Sequence, residues 1–260
     1  MKCKEIIRRI EKDCPPGAAL DFDNVGLLAG RAEKEVNRIY LALDATTEVI
    51  AHACECGADM LITHHPLIFN PLKRVTDEDY VGRRILKLIQ QDISYYAMHT
   101  NYDVFGMAQS AQEVLGLENA RPLDVTYHAD GTEEGIGRVG TLAEEMSLEE
   151  CCAYVKERLK LDTVKVFGNP AHRIRTLAVS PGAGKREVYP AICQGAEVLV
   201  TGDIGHHEGM DAWEQGLAVI DAGHYGTEYL FMEHMKKKLS EWEEKPEVFT
   251  EPFGLPYRLV

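Results

Sequence analysis

The sequence predicts an α/β fold of two related lobes, each with a mainly parallel sheet flanked by helices. Helical and strand-like patterns alternate along all 260 residues, as they do in layered α/β proteins. Two long segments also repeat one another, which indicates an internal duplication. Polar side chains follow the predicted strands of both copies, and they predict a metal site in the cleft between the lobes.

The repeat is visible in NRIYLALDATTEVIAHACECGADMLIT at 37–63 and HRIRTLAVSPGAGKREVYPAICQGAEVLVT at 172–201. Each copy begins with an Arg-Ile pair that leads into a strand, and continues through a polar turn and a helix. Each ends with Gly-Ala, an acidic residue and an aliphatic strand that closes on Thr. Repeated strand–helix–strand units favour a parallel sheet, because the helix crosses back over the sheet between the two strands.

The repeat extends to a histidine and a carboxylate in each half. DISYYAMHTNYD contains an apolar strand, then His99 and, four residues later, Asp103. GLAVIDAGHYGTE contains an apolar strand, then His224 and, four residues later, Glu228. Ligands of open parallel sheets bind beyond the carboxyl ends of the strands, so both pairs are expected at a binding site.

Other segments complete the predicted order of elements. Thr76 and Ser147 each stand three residues before an acidic residue, which is typical of a helix start. The closing segment PEVFTEPFGLPYRLV is predicted to contain a strand. Helices are predicted at 4–12, 78–91, 148–160 and 227–243.

The chain is long enough for one large domain or two modest ones. A polar, glycine-rich segment at 127–142 leads into a strand and marks the boundary between the lobes. The first lobe is therefore predicted to contain residues 1–126 and 218–260, and the second lobe residues 127–217.

Composition restricts the partners and the compartment. The net charge of −14 argues against general binding to nucleic acid, because phosphate backbones require a basic surface. The seven cysteines lack zinc-ribbon spacing and are interpreted as free thiols. The sequence shows neither a signal peptide nor a run of about 18 apolar residues, so we expect a soluble, cytoplasmic protein without a membrane partner.

The segment ADMLITHHPLIF ends a predicted strand with His64 and His65 and is closed by Pro66. Neighbouring side chains inside a strand point to opposite faces, so the two imidazoles would be separated there. Pro66 favours extended or turn geometry at His65, and at a strand end both imidazoles can converge. For an isolated pair, one packed and one solvated histidine would be the better interpretation.

The pair is accompanied by other ligand-type side chains at predicted strand ends. Imidazole and carboxylate are ligands of zinc, manganese and iron. One catalytic zinc ion usually takes three protein ligands and water, so five candidates suit two divalent ions that share a carboxylate. The candidate metal ligands are His64, His65, Asp103, His224 and Glu228.

Two other motifs fail in context, and two further histidines are candidates for catalysis. GIGRVG at 135–140 leads into a strand, whereas a dinucleotide fingerprint opens a helix. PGAGK at 181–185 lacks the first glycine and the Ser or Thr of a phosphate-binding loop. The alternatives are an anion site formed by the backbone N–H groups of Gly182 and Gly184 and an ordinary turn, which is favoured. His99 is a candidate for orienting a ligand or binding substrate, and His207 for carrying a proton.

Six motifs together resemble the NGG-interacting-factor-three-like family, whose members are often labelled type-two GTP cyclohydrolase I homologues. The resemblance covers essentially the whole chain, with the motifs in order. It implies a two-lobed α/β protein with a dinuclear metal site, commonly assembled into a hexameric ring of dimers. The motifs are DNVGLLAG (23–30), THHP (63–66), HTNYD (99–103), GIGRVG (135–140), TGDIGHH (201–207) and DAGHYGTE (221–228).

By analogy with that family, Glu228 bridges both ions. Our hypothesis for the other ligands is that His64 and Asp103 serve one ion and His65 and His224 the other. Some relatives contain an additional domain in mid-chain, for which this chain is too short. Gly182-Ala183-Gly184 stands where a Gly-Ser-Gly is typical of the family, which weakens any inference that a hydroxyl contacts substrate there.

Three functions are compatible with these features. The first is a metal-dependent hydrolase for a nucleotide or another small phosphorylated or cyclic substrate, with GTP cyclohydrolase-like activity among the options. The second is a metal carrier or chaperone that performs no chemistry. The third is a ring-shaped scaffold for protein or nucleic acid, against which the acidic balance argues where nucleic acid is concerned.

Overall fold

The structure is a computed structural model that describes residues 1–129 and 131–258. The chain forms two compact units. The first contains Met1–Tyr102 and Phe231–Gly254, and the second contains Asp103–Leu230 and residues 255–258. Each unit has its own sheet with helices around it, so the predicted α/β fold is confirmed.

The first unit has a five-stranded sheet in the order β1-β4-β3-β2-β11. The edge pair β1–β4 is antiparallel and the other pairs are parallel, as the sequence predicted for this half. Its strands are β1 (Gly26–Ala29), β2 (Arg38–Ala42), β3 (Met60–Thr63), β4 (Ser94–Ala97) and β11 (Glu247–Thr250). Its helices are α1 (Cys3–Asp13), a 3-10 turn (Pro16–Ala18), α2 (Thr47–Glu55), α3 (Tyr80–Gln90), α4 (Thr100–Tyr102) and most of α10 (Leu230–Ser240).

The second unit has a six-stranded sheet in the order β5-β6-β8-β9-β10-β7. The pairs β8–β9 and β9–β10 are parallel, whereas the other three are antiparallel, so this sheet is more mixed than expected. Its strands are β5 (Glu118–Ala129), β6 (Thr132–Ser147), β7 (Lys165–Phe167), β8 (Arg173–Ala183), β9 (Val198–Gly202) and β10 (Ala218–Asp221). Its helices are a π-helical turn (Asp103–Met107), α5 (Ala108–Val114), α6 (Leu148–Leu159), α7 (Val188–Cys193), α8 (His206–Glu214) and α9 (His224–Glu228).

The limits of the two units differ from the lobe boundaries expected at 126/127 and 217/218. A division after residue 126 would cut β5, which pairs with β6 along its length. A division after residue 217 would separate β10 from its partner β9. Backbone hydrogen bonds between these strands therefore place both segments in the second unit.

The repeated pattern in the sequence corresponds to the same local topology in each unit. In the first unit β2, α2, β3, α3 and β4 follow one another, and β2, β3 and β4 are parallel neighbours. In the second unit β8, α7, β9, α8 and β10 follow in the same way, and β8, β9 and β10 are parallel neighbours. The central strands β3 and β9 are wholly buried, which explains their continuous apolar sequence.

Two predicted helix starts have different outcomes. Ser147 forms the expected capping box with Glu150 at the start of α6. At α3, however, the capping side chain is Asp79, which accepts a hydrogen bond from the Gly82 N–H.

Within the described parts of the chain, every helix is too short or too polar to cross a bilayer.

Candidate metal site

Three histidines of the first unit come together at the carboxyl ends of two parallel strands. His64 and His65 follow β3, and His99 follows the neighbouring strand β4. One ring nitrogen from each of the three lies within 4.8 Å of the others. His64 is fully buried, whereas the side chain of His65 is partly exposed. The imidazoles of His64 and His65 lie close together after the end of β3, as the sequence predicted from the position of Pro66.

The rings of His64 and His65 are oriented through Nδ1. The His64 Nδ1 lies 3.0 Å from the backbone carbonyl oxygen of Met98, which accepts a hydrogen bond from the Nδ1–H. The His65 Nδ1 lies 2.9 Å from a carboxylate oxygen of Asp44. A proton held at Nδ1 leaves the lone pair on Nε2, the form in which a neutral imidazole binds metal.

His99 is oriented in the same way by a buried carboxylate, Asp23. The Asp23 carboxylate lies 2.9 Å from His99 Nδ1 and also accepts hydrogen bonds from the backbone N–H and the hydroxyl of Thr100. Burial opposes ionisation of Asp23, but the hydrogen bonds from His99 and Thr100 outweigh it and hold the pKa of this carboxyl well below its usual range. Asp23 is therefore a fixed negative charge behind the imidazole.

In the second unit, His224 and Glu228 lie on one face of α9. They are four residues apart on this short helix, and His224 Nε2 is 3.0 Å from Glu228 Oε2. The Glu228 side chain is buried, and one of its oxygens lies within 4.8 Å of a carboxylate oxygen of Asp103. The unit thus presents one imidazole and two carboxylates close together.

His224 is oriented by Asp203, which follows β9. Its Nδ1 lies 2.9 Å from the Asp203 carboxylate, and Asp203 has a left-handed backbone with φ of 55°. This conformation is unfavourable for a residue with a Cβ, and such residues concentrate at functional sites. Asp203–His224 repeats the arrangement of Asp44–His65 in the first unit.

Two glycines allow the backbone of the second unit to approach these side chains. A Cβ on Gly182 (φ 78°) would lie 2.2 Å from Glu228 Oε1, and a Cβ on Gly202 would lie 2.5 Å from the His224 backbone nitrogen. The N–H of Gly182 donates to the hydroxyl of Thr227 on α9. Any larger side chain at either position would therefore displace His224 or Glu228.

The donor groups in each unit match the preferences of first-row divalent metals. The first unit supplies imidazole nitrogens that are oriented through Nδ1 by oxygen acceptors, and the second supplies an oriented imidazole with two carboxylates. Imidazole and carboxylate bind zinc, manganese and iron, and ligating histidines usually have such acceptors behind them. The residues present therefore fit a metal.

The remaining candidates lie elsewhere in the second unit. His207 is exposed on the first turn of α8, where its ring contacts that of His206. Lys185, from the rejected phosphate-loop motif, forms an ion pair with Glu208. Pro181, Gly182 and Ala183 form the end of β8, and the turn begins only at Gly184, whose N–H donates to the carbonyl of Gly202.

Sequence inspection missed the three aspartates that orient the histidines. Asp44 and Asp203 each follow a strand of the repeat by one or two residues, so they had the positional signal used for the ligands. A carboxylate at a strand end was thus a usable signal for Asp44 and Asp203. Asp23 precedes β1 within DNVGLLAG, one of the motifs of the family resemblance, and has no such signal.

The whole chain matches a known protein family. The model of Duf34/NIF3 (NGG1p interacting factor 3) matches residues 1–252. The chain belongs to this family. The resemblance stated from the motifs is therefore confirmed.

This DUF34/NIF3 chain aligns with related proteins over nearly their full lengths. A Clostridium acetobutylicum protein named GTP cyclohydrolase 1 type 2 homolog is 37% identical over 241 residues, which are 92% of this chain and 90% of the relative. The crystal structure of Staphylococcus aureus hypothetical protein SA1388 has a TM-score of 0.91 at 32% identity, covering 100% of this chain and 99% of the other. Reduced HcgD from Methanocaldococcus jannaschii has a TM-score of 0.82 at 33% identity, covering 97% and 98%.

Proposed function

We propose that this DUF34/NIF3 protein binds two divalent metal ions and is a metal-dependent hydrolase for a nucleotide or another small phosphorylated or cyclic substrate. The observation that carries the proposal is the orientation of the histidines. His65 and His224 each have an aspartate at Nδ1, and His64 has a backbone carbonyl there. Such contacts are typical of metal ligands, and here they occur on histidines whose other ring nitrogens lie close to further ligand-type side chains.

The proposed ligands are the five side chains gathered from the sequence: His64, His65, Asp103, His224 and Glu228. We assign His64 and Asp103 to one ion, His65 and His224 to the other, and Glu228 to both. The family resemblance supports the bridging role of Glu228. The contact between Glu228 and His224 and the nearness of Asp103 to Glu228 support a shared role for that carboxylate.

Divalent ions bound by such ligands lower the pKa of water and polarise a phosphoryl or carbonyl oxygen. His99 lies beside His64 and His65, with ring centroids 5.2 Å and 5.5 Å apart, and we assign it the transfer of a proton at Nε2. Asp23 holds Nδ1 and stabilises the protonated ring. His207 remains a second candidate for this role.

Metal analysis of the purified protein, followed by a substrate screen, tests the proposal. Wild type is expected to contain two ions per chain, and Glu228→Ala to lose at least one because it removes the shared ligand. His128→Ala changes an exposed histidine of the second unit and serves as the control. Wild type without bound metal, or Glu228→Ala with a full complement, would contradict the proposed site.

Enzymatic activity is tested separately with GTP, other nucleotides and simple phosphoesters. We expect wild type to hydrolyse at least one of them and Glu228→Ala to be inactive. His99→Gln should retain metal and lose about 10²–10⁴-fold in rate if it transfers the proton, and His207→Gln tests the other candidate. A fully loaded wild type that converts none of these compounds would argue against the hydrolase.

A metal carrier is the second candidate function. Its support is the partial exposure of the His65 and His224 side chains, 23% and 34%, which favours exchange of bound ions. A carrier should transfer metal to a chelator rapidly and leave every substrate unchanged. Metal transfer and substrate conversion can both be measured on one preparation of protein, and together they distinguish a carrier from a hydrolase.

The family resemblance also supports assembly into a hexameric ring. We propose this state for the functional protein, and native mass spectrometry measures it directly. A monomer at working concentration would contradict it without affecting the metal site.

A further inference from the structure

Two exposed phenylalanines lie beside the three histidines of the first unit. Phe22 is 52% exposed and Phe69 is 43% exposed, although both rings are large and apolar. Their centroids are 6.2 Å apart with a tilt of 43° between the ring planes. The Phe69 ring also contacts His99 edge-on, with centroids 6.5 Å apart. We call Phe22 and Phe69 the aromatic pair.

The segments that carry the aromatic pair are held in place by hydrogen bonds. The Asn24 side-chain amide donates to the carbonyl of Ile68, which ties the segment of Phe22 to that of Phe69. The Leu20 N–H donates to the Thr100 hydroxyl, 2.8 Å away, and Asp23 binds His99 and Thr100. These bonds hold the segment that carries Phe22 against His99, Thr100 and the segment that carries Phe69.

Exposed aromatic rings that are fixed beside a polar site are suited to bind a flat ring. Covering apolar surface yields about 25 cal/mol per Å². Aromatic rings also gain from offset or edge-on contacts with centroids about 4.5–7 Å apart. The heteroaromatic base of a nucleotide gains from both effects.

We propose that the aromatic pair binds the heteroaromatic ring of the substrate, a purine or a bicyclic ring of similar size. This inference rests on the proposed function, since it places the base of a nucleotide next to His99. The contact between Phe69 and His99 favours a ligand of this site over a second copy of the chain. Leu72, Val75 and Tyr80 are also exposed in the first unit, so native mass spectrometry of each variant accompanies the binding test and measures self-association.

Calorimetric titration of the metal-loaded protein with GTP, ATP and inorganic tripolyphosphate tests the inference. Wild type should bind both nucleotides more tightly than tripolyphosphate. The double variant Phe22→Ala/Phe69→Ala should weaken nucleotide binding about 5- to 100-fold and leave tripolyphosphate binding unchanged. Phe69→Tyr keeps the ring and should retain most of the affinity. Tyr80→Ala removes another exposed ring of the first unit and is the matched control.

Two results would overturn the inference. The first is that wild type binds GTP and tripolyphosphate with equal affinity. The second is that the double variant binds nucleotides as tightly as wild type; if its native mass also falls, the aromatic pair forms contacts between copies instead. Metal content of each variant distinguishes failure of this inference from failure of the proposed function, because the aromatic pair supplies no metal ligand.

Discussion

At the scale of single residues, the recurring feature is an oxygen acceptor at the Nδ1 of each histidine in the candidate site. His65, His99 and His224 have Asp44, Asp23 and Asp203 in this position. These contacts select the tautomer and limit rotation of the rings, so the ligand nitrogens are oriented before any ion arrives. Asp203 adopts an unfavourable backbone conformation while it makes this contact.

Replacing Asp203 should weaken metal binding while leaving the fold intact. Asp203→Ala removes the acceptor from His224, and we expect metal affinity to fall about 10- to 100-fold. Asp203→Asn retains an acceptor oxygen and should lose less. Competition with a chromophoric chelator measures the affinities, and Asp211→Asn on the exposed face of α8 is the control. Equal affinities of wild type and Asp203→Ala would show that Asp203 does not orient a ligand.

At the scale of elements, the last strand of the first unit is anchored by a small polar cluster. β11 pairs with β2, and Glu251 directly after it accepts a hydrogen bond from Tyr40 at 2.6 Å. The His52 Nδ1 on α2 lies 3.1 Å from the same carboxylate. The hydrogen bond and the charge of Glu251 raise the pKa of His52 above its usual value.

This cluster predicts a pH-dependent contribution to stability. Because the folded pKa of His52 is raised, its contribution is complete below the ordinary histidine pKa of about 6.5 and is lost as pH rises through the higher folded value. The stability gap between wild type and His52→Gln, which does not titrate, should therefore be larger at pH 5.5 than at pH 9. Urea denaturation measures the gap, with His128→Gln as the control. A gap that is constant with pH would contradict the assignment.

At the scale of the whole molecule, the chain repeats one topology in two units. Each unit contains a strand–helix–strand–helix–strand sequence whose strands are parallel neighbours, and each places histidines after strands of that sheet. If the proposed ions bind ligands from both units, metal should stabilise the whole folded chain. The unfolded chain would not hold the ligands together.

Chelation should accordingly lower the melting temperature. Binding at a free metal concentration 100 times Kd contributes about 2.7 kcal/mol per site, which corresponds to a shift of about 5–10 °C for a protein of this size. Scanning calorimetry with and without EDTA measures the shift. His128→Ala should behave as wild type, and Glu228→Ala should show little response. A wild type insensitive to both EDTA and added zinc would count against a metal that is linked to folding.

Much of the fold and of the candidate site was predictable because it depends on local patterns. The periodicity of apolar residues and the internal repeat predicted the helices and the parallel strands. The capping box of Ser147 predicted the start of α6. Asp79 replaced Thr76 as the cap of α3, since either residue fits the local pattern. The assignment of five side chains to two shared ions stays a prediction.

The sequence by itself determined the α/β class, the duplicated topology and which ligand-type residues follow strand ends, because these depend on the order of residues along the chain. Only the tertiary structure decided that β5 and β10 belong to the second unit, that aspartates orient His65, His99 and His224, and that Phe22 lies beside Phe69. Those features depend on contacts between residues distant in the chain. No local period or propensity encodes them.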